Sequence, residues 1–138
     1  MNTRKKNIEL IIKDSKTYAI IIRSKYKPDS TEFITDGKSV QQVGFIVYKS
    51  GEEIKRHLHK PSKRIIYNTP ETLFVKEGAI EYEIFNNSKK VISKGQLNQG
   101  DVIILLDGGH GFKTIKDTVL FEIKQGPFMG DGKDKERF

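Results

Sequence analysis

The sequence predicts an all-β protein, a sandwich or barrel of short strands. Three observations carry this: apolar and β-branched residues recur with a period of two over short runs, turn residues punctuate those runs at regular intervals, and no stretch sustains a capped apolar repeat at helical spacing. Parallel α/β folds are excluded because no crossover helix separates the strand candidates.

Taken in order, residues 8–13 and 18–23 are Ile-rich runs, and 32–35 is a short run ending at Asp36-Gly37. Residues 41–49 and 54–59 form a pair of candidates around Lys49-Ser50-Gly51. Residues 73–76 and 80–85 flank Glu77-Gly78, and 90–97 follows the turn Asn86-Asn87-Ser88. Residues 101–106 follow Asn98-Gln99-Gly100 and are almost wholly apolar, and 111–115 and 119–124 complete the set. No repeat or Pro/Gly-rich linker divides the 138 residues, so a single domain is expected, with a loose basic N-terminus over 1–7 and a charged tail over 129–138.

The chain has no cysteine, which excludes disulfides, thiolate metal sites and a Cys nucleophile, so any transition metal must be held by His and carboxylate. Hydrophobic residues make up 36% and mean hydropathy is −0.54, a balance that supports a folded core under a polar surface. The apolar runs are far shorter than the ~20 residues of a membrane span, and Met1-Asn2-Thr3-Arg4-Lys5-Lys6 leads into no signal-type segment, so no membrane association and a cytoplasmic location are expected. The net charge of +7 is spread along the chain without a recognition-helix or RNA-binding signature. No nucleic-acid partner is therefore expected.

The three histidines, His57, His59 and His110, focus the chemistry. On a strand His57 and His59 would share a face, as two imidazoles gripping one ion require. Five residues separate Gly51 from His57, six separate Glu71 from Gly78, and Gly100 opens the run that ends in Asp107-Gly108-Gly109-His110. This pattern resembles the two-motif signature of the cupin superfamily, with Gly51, His57, His59, Glu71 and Gly78 on the first motif and Gly100, Gly108 and His110 on the second. The likeness spans residues 44–124. Eleven residues separate His59 from Glu71, an insertion relative to the usual three or four, and Leu106 stands where Pro is usual. The segment from Phe121 to Phe128 is similar to the ends of small bacterial cupins associated with surface-polysaccharide gene sets.

The resemblance implies a double-stranded β-helix, or jelly-roll barrel, to which the strands within residues 8–36 add at one sheet, and a homodimer covering an exposed edge such as Ile8–Lys13. It implies His57, His59, Glu71 and His110 as ligands of one divalent transition metal (Fe, Mn, Ni or Zn), an N/O donor set with open positions. Glu71 after Thr69-Pro70 also reads as a turn carboxylate. Lys60, Lys63 and Arg64 on the insertion are candidate contacts for a substrate phosphate or carboxylate, and Tyr67 and Glu122 are candidate proton-transfer groups. Glu122 faces the cavity if the hairpin after His110 turns through three residues, and solvent if it turns through two. Tyr67, Tyr82 and Phe112 also read as core or wall aromatics. Two functions follow. One is a metal-dependent isomerase, epimerase or dioxygenase acting on a sugar derivative or carboxylic acid; the other is a cupin that binds a sugar or anion without turnover.

Overall fold

The alternating apolar pattern becomes antiparallel sheet in the computed structural model, which describes residues 5–138. The strands are β1 (Ile8–Lys13), β2 (Lys16–Ile22), β3 (Glu32–Phe33), β4 (Gly44–Phe45), β5 (Glu71–Glu77), β6 (Ala79–Phe85), β7 (Val91–Asn98), β8 (Val102–Leu105), β9 (Gly109–Thr114) and β10 (Val119–Lys124). A single helical turn, α1 (Asp131–Asp134), follows. The all-β expectation holds, and no helix among the described residues is long and apolar enough to cross a membrane.

The described residues fall into two compact units, one made by the chain up to Tyr26 together with Thr69–Phe138, the other by Lys27–Asn68. In the larger unit one sheet has the order β1-β2-β8-β5-β10 and the other β7-β6-β9, and neither closes on itself. Their facing sides share one core. Ala19, Ile21, Leu73, Val75, Ile103 and Leu105 come from the first sheet. Ile80, Tyr82, Ile84 and Leu97 come from the second. Tyr82 lies in this core and Phe112 packs against it, as expected of wall aromatics.

Two glycines make tight turns possible. Gly78 turns β5 into β6 at φ +88°, where a Cβ would stand 2.2 Å from the Asp117 carbonyl oxygen. Gly108 has φ +70°, and a Cβ there would stand 2.1 Å from the Phe85 carbonyl oxygen. The buried Asp101 accepts hydrogen bonds from Arg23 at 3.0 Å, from the Ser24 N–H at 2.8 Å and from the Asn98 N–H at 3.0 Å.

The smaller unit holds only the β3–β4 pair. The strands expected over 32–35 and 41–49 shrink to two residues each, and the strand expected over 54–59 is absent. In the last case Ile54 and Leu58 are the only apolar residues in the run, both are exposed, and no neighbouring strand satisfies the backbone.

The termini also differ from expectation. Residues 1–4 of the expected loose N-terminus lie outside the described residues, but Lys5–Asn7 form a turn in which the Lys5 carbonyl accepts from the Ile8 N–H at 3.0 Å. The charged tail folds back and ends with Phe138 packed edge-on against Phe85, ring centroids 5.1 Å apart.

Candidate functional site

Glu71 opens β5 and His110 is the second residue of β9, so each sheet contributes one polar side chain, Glu71 buried and His110 exposed. Glu71 is buried at 7% exposure. It pairs in register with Leu105 and Lys124. It is a strand residue, which removes the turn-carboxylate reading. His110 pairs in register with Ile84, and its ring centroid lies 5.5 Å from that of Phe112. Across the sandwich, His110 Nε2 comes within 3.2 Å of Glu71 Oε2.

That contact sets the electrostatics. The hydrogen bond from His110 holds the Glu71 carboxyl below its ordinary range against the opposing effect of burial, and the His110, Lys124 and Lys135 charges add to it. Lys124 and Lys135 carry no motif signal in the sequence. They are placed by strand register and by the fold of the tail.

The other site residues lie in the smaller unit or on a sheet edge. His57 and His59 sit in irregular chain, not on a strand face, yet their rings meet edge-on with centroids 5.4 Å apart. His57 Nδ1 lies 2.9 Å from the Lys55 carbonyl oxygen, an acceptor, so Nδ1 is the donor in this contact. Lys60, Lys63 and Arg64 are exposed, and Arg64 donates to the Ser62 carbonyl at 3.4 Å. Tyr67 is 96% exposed, so it is not a wall aromatic.

Glu122 corrects both hairpin alternatives. β9 and β10 do not pair; the chain crosses from one sheet to the other between them, and β10 pairs with β5, Glu122 standing opposite Leu73. Glu122 thus shares the face of Glu71, but on an edge strand where it is exposed.

Among the described residues no group of three or more His, Asp or Glu side chains is gathered closely enough to hold a metal. Glu71 and His110 do fit as two ligands of one ion, since donors each ~2.0–2.2 Å from a metal stand at about this mutual distance. A depression of about 620 Å³ on the three-stranded sheet, lined by Glu81, Glu83, Lys94 and Lys113 around Gly95 and Gly111, excludes this pair, and Lys94 and Glu83 already form an ion pair there. No protein-family model matches the chain, and no curated protein or solved structure matches it.

Proposed function

We propose that the protein is a cupin-like metal-binding protein that acts on a small polar or anionic molecule, a sugar derivative or a carboxylic acid. The observation that carries this reading is the Glu71–His110 pair, two donors from two sheets at ligand-to-ligand distance. The resemblance adds His57 and His59 as further donors to the same divalent ion, which would polarise a substrate oxygen when bound. Glu71 would serve as an anionic oxygen donor, already held in its charged form. The exposed Lys60, Lys63 and Arg64 would attract an anionic substrate. The jelly-roll barrel and the homodimer belong to the same proposal; β1 and β10 are free sheet edges, and Phe121 and Ile123 of β10 are 58% and 54% exposed.

A second reading, binding without turnover, is favoured by Tyr67 and Glu122. A general acid or base works from a held position, and both side chains stand open to solvent.

Calorimetric titration of the metal-free chain with Zn(II), Mn(II), Ni(II) and Fe(II) tests the site. One ion is expected to bind, with affinity reduced ~10-fold or more in Glu71→Gln and His110→Ala. Refusal of all four ions, or unchanged affinity in both variants, overturns the metal reading. Assay of the loaded chain against sugar phosphates, nucleotide sugars and carboxylic acids then separates turnover from binding.

A further inference from the structure

The C-terminal residues run past the Glu71–His110 pair from one side to the other. On the Glu71 side, Thr69 Oγ1 donates to Asp134 Oδ1 at 3.4 Å. On the His110 side, Phe138 packs on Phe85 and against Gly109, where a Cβ would stand 3.0 Å from the Phe138 ring. Lys89, in the turn between β6 and β7, secures the end of the segment: its Nζ lies 2.5 Å from Glu136 Oε1 and 5.4 Å from the Phe138 ring centroid. Between the two anchors lies Lys135, whose charge reaches Glu71. The Glu71 side chain is 10% exposed and that of His110 32%.

The holding contacts are few and wet. No residue of α1 is buried, Phe138 is 63% exposed, and the Glu136 side chain is 77% exposed. The segment starts at Gly130, at φ +89° with open space around it, a natural pivot. Elements held in this way open locally at far lower cost than core strands.

We propose that residues 130–138 form a releasable strap closing over the Glu71–His110 pair, latched by Phe138 on Phe85 and by Lys89 on Glu136. The strap governs access from the Glu71 side and is independent of what binds there.

The test is amine coupling to carboxylates driven by a water-soluble carbodiimide, on the full chain, mapped by peptide mass spectrometry. The Glu71 rate is read against that of exposed Glu122 in the same sample. Phe138→Ala and Lys89→Glu are each expected to raise relative labelling of Glu71 about threefold or more. Adding Glu136→Lys to Lys89→Glu is expected to return it to the parent rate. Lys89→Glu changes an exposed side chain and leaves the core intact, so the test survives a destabilised Phe138→Ala. Unchanged Glu71 labelling in Lys89→Glu, or no recovery in the charge-swapped double variant, overturns the strap.

Discussion

His110 Nε2 and Glu71 Oε2, 3.2 Å apart, tie the three-stranded sheet to the five-stranded sheet. The tie is made by side chains, not by a ladder, so it can be removed without disturbing either sheet. A double-mutant cycle of Glu71→Gln and His110→Ala in the metal-free protein is expected to show a coupling of about 1 kcal/mol by urea unfolding. Additivity of the two changes would mean that the contact contributes nothing on its own.

A second ion pair predicts part of the acid limb of stability. Burial works against the charge on Asp107, but the Lys16 ammonium at 2.5 Å and the Gly108 N–H at 2.6 Å more than offset it and hold the carboxyl below its ordinary 3.8. A carboxyl with a depressed folded pKa contributes stability above the unfolded value and loses it as pH falls through the folded one. Urea midpoints measured from pH 6 down to pH 2 should therefore fall less steeply below about pH 4 in Asp107→Asn than in the parent, with the gap at pH 6 within ~1 kcal/mol because the pair is partly exposed.

A metal ion held by His57, His59 and His110 depends on each imidazole as a donor. His57→Ala and His59→Ala should each lower metal content after dialysis at pH 7.5, measured by elemental analysis. Lys60→Ala should leave it unchanged.

The backbone at Gly108 predicts a large single-residue effect outside the core. Alanine there needs a left-handed conformation and meets the Phe85 carbonyl and the Tyr18 ring, so Gly108→Ala is expected to cost more than ~2 kcal/mol. Gly126→Ala, with open space around its Cα, should unfold at nearly the parent's urea midpoint.

Where alternation met a partner, the strands were legible to the residue: 8–13 and 119–124 coincide with β1 and β10, because each run pairs along its whole length. Residues 54–59 have the spacing of a strand but lack a partner, and period alone cannot supply one. Glu71 and His110 are legible in the sequence as candidate ligands but not as a contacting pair, and the place of Glu122 is not legible because both hairpin registers require consecutive strands to pair. The chain instead changes sheets between them. The tail's contacts were illegible for another reason. A run of alternating charges ending in one Phe has the composition of a solvated end, and only the fold brings Lys89 and Phe85 to meet it.

The sheet order β1-β2-β8-β5-β10 has a consequence for synthesis. β1 and β2 leave the ribosome first and can form their hairpin at once, but Ile20 waits for Ile104 as its register neighbour, and β5 waits for the same strand. Until β8 arrives, the Ile-rich edge of β2 and the edge of β5 stand open on the nascent chain, while β6 and β7 can already pair locally. β8 is thus the strand on which vectorial folding turns, and chains terminated just before Val102 should be far more prone to aggregate than chains extended just past Leu105.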